Sequence, residues 1–502
     1  MDNPQKIPVV IRDRLYIPRV EKYPTLHSDI KCEFTHKNPA YSKNKAMGFY
    51  VNEHDKFQPN YEENVSVTEF DNVPTLAVPR GGTNQLREIF QRYGCVPWWI
   101  DHRLCLKPVE ERPGKPYSNS VTLWPEQERL VAAMLKHENC LVRSPTASGK
   151  TEAALKLVEY LLQIAGPVLI LVWEGSPRSG LMKQWIDRIF QRFEINRSEI
   201  GVLGGGNKKV RNITVGMQQT LRNCAGEYVG CFGSIICDEV QRFAARTFQE
   251  VIGKFPARFR IGISADERRK DGNEPLIYDA FGSVVEEIDK KSLLERNLIC
   301  PVIVRVIPTD FNYFMQVGNE SIAWIDLPSA LKNAHEFYRV MFNNQERENL
   351  IASFVLPCLK AGNSTLITSL RRDHVAKWQS FLIAQGYHCG IMVGGQQDEG
   401  TFEIAESGLR NKSMQVAVGT IQKMSTAHDI PPLERCFVLG PLAGNKQLFN
   451  QMMGRIGRSY PGKEIAYLYY FWDIRCYPNH LNMLKRAKYD IEIFDHSKGI
   501  FA

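Results

Sequence analysis

The feature that most constrains this fold is an alternation of short apolar runs with helix-like segments, which starts near Leu123. The first series of apolar runs is CLVR, PVLILVW, NITVG, GSIICDE and RFRIGIS. After position 300 a second series follows, made of STLITS, HCGIMV, MQVAVGT, RCFVLG and IAYLYYF. Strands that alternate with helices in this way predict parallel sheets covered by helices. The sequence therefore predicts an α/β chain with two successive parallel-sheet lobes.

The N-terminal part of the chain has a different character, with frequent prolines, scattered aromatics and a helix-like segment, TNQLREIFQRYG. A stretch rich in Pro, Gly and Ser, ERPGKPYSNS, separates it from the alternating region and indicates a linker. We therefore predict a small α+β domain over 1–115, a first lobe over 116–295 and a second lobe over 296–502.

Composition narrows the class of protein without naming a function. The 502 residues are 43% hydrophobic and 24% charged, as in an ordinary globular protein. No apolar run approaches the roughly 18 residues that a membrane span requires. The 12 cysteines form no CxxC pair, which favours reduced thiols in a cytosolic protein over a zinc site. A net charge of +8 is compatible with a nucleic-acid partner but does not require one.

The stretch SPTASGKT follows an apolar run and precedes a helix-like segment. A turn of exposed backbone N–H groups between a strand and a helix binds phosphate, and the usual pattern is GxxxxGK[ST]. Here serine stands in the place of the first glycine. We call this segment the phosphate loop and predict that it binds a nucleotide through Ser144, Pro145, Thr146, Ala147, Ser148, Gly149, Lys150 and Thr151.

A pair of carboxylates in GSIICDEVQR follows another apolar run. Ligands of open α/β sheets bind at the carboxyl ends of the strands, so Asp238 and Glu239 are placed to act on a bound phosphate. We predict that Asp238 and Thr151 hold Mg²⁺ and that Glu239 is the base for water. The alternative is a surface turn after a buried strand, and we favour it less because a phosphate loop precedes the two carboxylates in the sequence.

Further stretches occur in an order that is typical of one family. LWPEQERL precedes the phosphate loop, GISADERRKDG follows the carboxylate pair, and VAVGTIQKMSTAHDIPPLE precedes QMMGRIGR, which fits QxxGRxxR. With these motifs the chain resembles superfamily 2 ATP-dependent DNA helicases, of the XPB-like and phage branch-migration type. The resemblance covers about three-quarters of the chain.

The resemblance implies two RecA-like lobes with ATP between them. It implies that Gln127 contacts the adenine and that Asp429 belongs to the nucleotide site. It assigns three further catalytic residues to the second lobe, namely Gln451, Arg455 and Arg458. The implied partner is DNA, forked or branched and bound largely without regard to sequence, with RNA as another possible partner.

Three departures from the family pattern bear on activity. Gln241 stands in place of the histidine that usually couples the ATP state to other motifs, and its amide retains hydrogen-bonding capacity. Asp266 replaces a threonine in the third motif, which puts that hydroxyl contact in doubt. Ser144 is expected to allow the turn of the phosphate loop, so we predict an active enzyme.

Two segments leave alternatives open. FNYFMQVGNESIAWIDL predicts a hairpin, either a wedge in which Phe314 or Trp324 stacks on a base or, as we favour, an ordinary hairpin packed on the second lobe. TNQLREIFQRYG resembles the helix that small DNA-binding domains of phage relatives pack on a sheet, so residues 1–115 are expected to bind forked or branched DNA as an accessory domain. For the adjacent Trp98 and Trp99 in this domain we favour core positions over nucleic-acid contacts.

Three functions are compared on this basis. The favoured one is a monomeric DNA helicase or branch-migration motor in recombination, repair or replication, in the cytoplasm of a bacterium or a phage-infected host. The second is an RNA helicase, or a translocase that moves on duplex without separating it. The third is an ATP-gated nucleic-acid clamp without turnover, against which the retained catalytic residues argue.

Overall fold

The computed structural model describes residues 5–37, 41, 61–107, 117–173, 175–177, 180–243, 245–266, 272–318, 320–394, 399–425, 430–441, 446–486 and 489–501. The chain divides into two compact units. The first consists of residues 1–145 and 149–289, and the second consists of residues 146–148 and 290–502.

The first unit begins with a small sheet whose strand order is β5-β6-β2-β1-β7. Strands β1 to β7 are Gln5–Ile11, Leu15–Pro18, Thr35–Lys37, Tyr61–Glu63, Ser66–Phe70, Val73–Val78 and Cys95–Asp101. Helices α1 and α2 are Pro24–Glu33 and Thr83–Arg92. The side chains of Ile7, Leu15, Leu76 and Phe90 are buried in one apolar cluster between the sheet and these helices. This region is therefore a small α+β domain, as the sequence predicts.

A large, mostly parallel sheet forms the rest of the first unit, with the strand order β11-β10-β12-β9-β13-β14-β8-β15. Strands β8 to β15 are Asn139–Arg143, Val168–Val172, Ile200–Gly204, Asn207–Lys209, Ile213–Met217, Ser234–Asp238, Phe259–Ser264 and Val284–Glu287. Helices α3 to α8 are Pro125–His137, Lys150–Ile164, Gly180–Phe193, Gln218–Cys224, Ala245–Ile252 and Glu274–Phe281. The central strands consist almost wholly of buried residues, as expected for a parallel sheet covered on both faces.

The small sheet is fastened to the large one by a buried arginine. Arg80 is 2% exposed, and its guanidinium donates to the backbone carbonyls of Ala257 and Arg258 just before β14. The next residue, Gly81, lies so close to Gly282 that an added Cβ would be 2.4 Å from the Gly282 nitrogen. Because backbone meets backbone here, a side chain has no room at position 81.

Polar side chains extend the same attachment. The Asp279 carboxylate, which is almost fully buried, lies 2.8 Å from His36 Nε2 and accepts a hydrogen bond of 2.8 Å from Asn64 Nδ2. Arg103 Nη1 donates to Glu138 Oε2 at 2.7 Å. The small sheet is thus an integral part of the first unit.

The second unit contains another large sheet, with the strand order β20-β21-β19-β22-β23-β16-β24-β25, and a two-stranded hairpin of β17 and β18. Strands β16 to β25 are Val302–Thr309, Phe314–Val317, Glu320–Ala323, Thr365–Ser369, Cys389–Met392, Val416–Thr420, Arg435–Val438, Ala466–Asp473, Asp490–Asp495 and Ile500–Phe501. Helices α9 to α16 are Lys290–Glu295, Ala334–Met341, Gln345–Lys360, Arg372–Ala384, Glu399–Arg410, Ile421–Ser425, Lys446–Ile456 and His480–Arg486.

The predicted fold class is confirmed. All the apolar runs of both series are strands, and the two large sheets are dominated by parallel pairs. All 12 cysteines are free thiols, and 8 of them are buried. Among the described residues, no helix has both the length and the apolar character needed to cross a membrane.

Candidate active site

The phosphate loop joins the end of β8 to the start of α4. Strand β8 ends at Arg143, and the 15-residue helix α4 begins at Lys150. The helix therefore directs the positive end of its dipole to the loop, while the N–H groups of Glu152 and Ala153 donate to the Gly149 carbonyl. The strand, turn and helix predicted around SPTASGKT are all present, and a turn of this kind at a helix N-terminus is an arrangement that binds anions.

Two residues of the loop have left-handed backbone conformations. Gly149 has φ 71° and Ala147 has φ 69°. Glycine adopts this conformation freely, whereas alanine there costs about 1 kcal/mol. Ser144, by contrast, fits its place: it is fully buried, and its backbone N–H donates to the Ser264 carbonyl at 2.8 Å. The serine thus permits the turn, as predicted.

The predicted carboxylate pair lies at the same sheet edge as the loop. Asp238 is the last residue of β13, and β13 pairs in parallel with β14, which pairs in parallel with β8. Parallel strands place their carboxyl ends at one edge, so residues distant in sequence meet there. Glu239 follows with a left-handed φ of 55°, an unfavourable conformation for glutamate that is typical of functional sites.

Lys150 turns towards both carboxylates. Its Nζ is 3.4 Å from Asp238 Oδ1 and also forms an ion pair with Glu239. Asp238 is 2% exposed, so these charges interact with little screening by water. We call Lys150, Asp238 and Glu239 the charged cluster.

Burial and charge act against each other on the pKa values of the cluster. Burial raises the pKa of Asp238, and the Glu239 carboxylate raises it further, while Lys150 offsets part of the rise. Burial also acts to raise the pKa of Glu239, but the Lys150 ammonium and the Gln241 amide outweigh it and hold that pKa below its usual value. Burial lowers the pKa of Lys150, but the two carboxylates outweigh burial and raise it. Glu239 is therefore ionised at neutral pH and able to accept a proton.

One oxygen of the cluster is suited to a metal ion. Asp238 Oδ1 is buried and has no hydrogen bond, although Lys150 lies near it. A buried carboxylate oxygen without a hydrogen bond favours a cation. In the described part of the chain, no group of three or more His, Cys, Asp or Glu side chains could hold a metal. The Asp238 carboxylate, with this oxygen, fits Mg²⁺, which takes one or two carboxylates and completes its shell with phosphates and water.

Gln241 connects the charged cluster to the third predicted motif. Its Nε2 donates to Glu239 Oε2 at 2.5 Å, and its Oε1 accepts from the Ser264 hydroxyl at 2.6 Å. The same hydroxyl accepts the backbone N–H of Asp266 at 3.0 Å. The hydrogen-bonding capacity expected of Gln241 is therefore used, and Ser264 connects it to the backbone of Asp266, which replaces the usual threonine.

Gln127 is buried beside the phosphate loop. Its Oε1 accepts the backbone N–H of Trp124 at 2.9 Å, which caps helix α3, and its Nε2 donates to the Gly149 carbonyl at 3.4 Å. Its side chain thus links the helix to the phosphate loop, and contact with an adenine remains a prediction.

The candidate residues of the second unit are grouped near one helix. Gln451 and Arg455 are four residues apart on α15, so they share a face of the helix. Arg458 follows the helix and pairs with Ile299 in an isolated bridge. All three are partly exposed, whereas Met452 and Ile456 are buried in the core. Asp429 lies outside the described residues.

The hairpin of the second unit bears out the ordinary interpretation for Trp324. Trp324 is 7% exposed and stacks on Phe337 with 4.2 Å between ring centroids. Base stacking by Trp324 is therefore wrong, because the hydrophobic core already covers its ring. Phe314, by contrast, is 56% exposed, so stacking of this ring on a base stays a prediction.

In the small sheet of the first unit, the side chain of Trp98 is 58% exposed, so the core position expected for it is wrong.

Among known protein families, a model described as "Type III restriction enzyme, res subunit" matches residues 120–267 of this chain. The chain is 25% identical to "Probable helicase D10" of Escherichia phage T5, over 65% of this chain and 66% of that protein. It is 28% identical to "DNA 3'-5' translocase XPB2" of Sulfurisphaera tokodaii, over 35% of this chain and 38% of that protein. It is 25% identical to "Putative ATP-dependent RNA helicase L396" of Acanthamoeba polyphaga mimivirus, over 69% of this chain and 63% of that protein.

A solved structure shares the fold. It is a fragment of a putative HsdR subunit of a type I restriction enzyme from Vibrio vulnificus YJ016, with a TM-score of 0.52 and 16% identity over 75% of this chain and 68% of that one. The matched stretches cover less than two thirds of each of the three relatives, so the activity, substrates and partners of the whole chain remain proposals.

Proposed function

We propose, since this chain belongs to superfamily 2 of the helicases, that it is an ATP-dependent DNA helicase or translocase that unwinds or branch-migrates forked and branched DNA. The observation that carries the proposal is the charged cluster. Its lysine and two carboxylates lie together at the sheet edge where the phosphate loop begins, with Asp238 buried and Lys150 and Glu239 partly buried, and this is the set of charges that phosphoryl transfer requires.

Each residue of the first unit has a proposed role. The backbone N–H groups of the phosphate loop and the Lys150 ammonium bind the phosphates of ATP. Thr151 and Asp238 hold Mg²⁺, which when bound neutralises charge on the phosphates. Glu239 is proposed to accept a proton from the attacking water, for which its carboxylate must be ionised, and its lowered pKa keeps it ionised. Gln127 is proposed to contact the adenine.

The second unit is proposed to supply positive charge. Arg455 and Arg458 would neutralise charge that develops on the transferred phosphate, and Gln451 would orient water or phosphate. Phosphate contacts would dominate the grip on DNA, so binding should weaken as salt rises. We place the protein in the cytoplasm of a bacterium or phage-infected host, acting as a monomer in recombination, repair or replication.

We expect Gln241→Leu to lower ATP turnover in the presence of DNA by about thirtyfold. The change removes both a donor to Glu239 and an acceptor for Ser264, and each lost hydrogen bond is worth about 1 kcal/mol. Steady-state hydrolysis measured with and without DNA tests this. Gln241→His is the matched control, since imidazole can donate and accept, and it should retain most of the turnover. Equal rates of hydrolysis for the leucine variant and the wild type would show that the two hydrogen bonds of Gln241 do not contribute to turnover.

The proposal is tested by ATP hydrolysis measured with no nucleic acid, single-stranded DNA, forked DNA, a four-way junction and RNA, beside a Lys150→Ala variant. We expect the strongest stimulation with branched DNA and its loss in the variant. Stimulation by RNA alone would favour an RNA helicase. Stimulation by forked DNA whose strands stay paired in a parallel unwinding assay would favour a duplex translocase. No hydrolysis under any condition would favour an ATP-gated clamp.

A further inference from the structure

A tryptophan from a neighbouring helix contacts the proposed metal ligand. Trp185 lies on α5 (Gly180–Phe193) and is 1% exposed. Its indole Nε1 donates to Asp238 Oδ2 at 3.1 Å, and both groups are buried in the first unit. Since the indole N–H is a donor only, this bond assigns one carboxylate oxygen to Trp185.

The two oxygens of Asp238 are therefore different. Oδ2 accepts the indole N–H, whereas Oδ1 has no hydrogen bond and faces Lys150 at 3.4 Å. The last torsion of an aspartate side chain is broad and lets the carboxylate rotate. A donor fixed on one oxygen restricts that rotation and keeps the other oxygen directed towards the charged cluster.

We propose that Trp185 is a positioning residue for the metal site, which orients Asp238 so that Oδ1 is presented to a divalent cation. This inference rests on the proposed function, because the cation is the one that accompanies ATP. Donors that orient a carboxylate ligand from behind typically change metal affinity by about ten- to a hundredfold when removed. An indole that merely satisfies its own N–H in the core would not change metal affinity.

The chain offers a matched control in its second unit. Trp378 is also buried, and its Nε1 donates to the buried carboxylate of Glu348 at 2.8 Å. Trp378→Phe and Trp185→Phe each delete one indole N–H bound to a buried carboxylate and leave an aromatic ring. Only Trp185 contacts a residue that we assign to the metal.

The test is Mn²⁺ binding to the full chain, measured by electron paramagnetic resonance in the presence of the non-hydrolysable analogue adenosine 5′-(β,γ-imido)triphosphate. We expect Trp185→Phe to weaken Mn²⁺ binding about ten- to a hundredfold and Trp378→Phe to leave it unchanged. If Trp185→Phe bound Mn²⁺ with wild-type affinity while Asp238→Asn bound it more weakly, this inference would be overturned and the proposed metal site would stand. Absence of Mn²⁺ binding by the wild type, or equal binding by Asp238→Asn, would overturn the proposed metal site and this inference with it.

A second measurement applies if Trp185→Phe does not fold. Wild-type chain labelled with ¹⁵N at its tryptophan indoles is compared with Asp238→Asn by nuclear magnetic resonance. One indole signal should shift in Asp238→Asn, and the same signal should shift in the wild type when Mg²⁺ and the analogue are added. The absence of any indole signal with both responses would overturn the inference.

Discussion

Replacing Glu239 with glutamine is expected to lower the rate of ATP hydrolysis about 10²- to 10⁴-fold, the usual contribution of a general base. The ionised carboxylate can take a proton from water, whereas an amide of the same shape cannot. ATP binding should persist, because the phosphate loop and Lys150 are unchanged. Steady-state turnover and equilibrium binding of a fluorescent ATP analogue test the two halves of this expectation.

The control for this prediction is Glu250→Gln, which removes a carboxylate that is half exposed on helix α7. It should leave turnover within about twofold of the wild type, since surface substitutions have small effects. Turnover of Glu239→Gln equal to that of this control would exclude Glu239 as the base.

Replacing Gly81 with alanine is expected to destabilise the first unit by about 3 kcal/mol, the upper end of the usual cost of overpacking. An added Cβ would be 2.2 Å from the Tyr278 carbonyl oxygen, 2.4 Å from the Gly282 nitrogen and 2.5 Å from the Asp279 carbonyl oxygen. All three are backbone atoms, so no side chain can rotate away. Thermal unfolding followed by circular dichroism measures the effect as a lowered Tm.

The matched control is Gly226→Ala, because an added Cβ at that position meets nothing within 4 Å. It should change the Tm little. A Tm for Gly81→Ala equal to that of the control would show that the small sheet is not held against the large one at this point.

The same attachment bears on how the N-terminal region is studied. Deleting residues 1–115 would uncover the Asp279 carboxylate and leave the Ala257 carbonyl without the Arg80 guanidinium. Because the deletion removes these hydrogen bonds and exposes the surface that the small sheet covers, loss of DNA binding could result from misfolding of the first unit as well as from loss of a DNA contact. DNA binding by residues 1–115 stays a prediction, and substitutions at exposed positions such as Trp98 would test it without this complication.

The sequence by itself determined the fold class and most of the charged cluster. The apolar runs, the phosphate loop and the pair Asp238 and Glu239 depend on strand periodicity and on turn chemistry between neighbouring residues. These are local properties of the chain. Parallel strands then place their carboxyl ends at one edge, so the approach of Lys150 to both carboxylates follows from the predicted sheet.

Only the tertiary structure decided which side chains support that cluster. Trp185 is an apolar residue on an amphipathic helix, and nothing in its neighbourhood along the chain indicates that its N–H meets Asp238. The acceptors of Arg80 are backbone carbonyls, which no sequence pattern marks. The different exposure of Phe314 and Trp324 depends on which face of the hairpin packs against the core. Such partners are set by the packing of distant elements, and that packing depends on the whole chain rather than on any one segment.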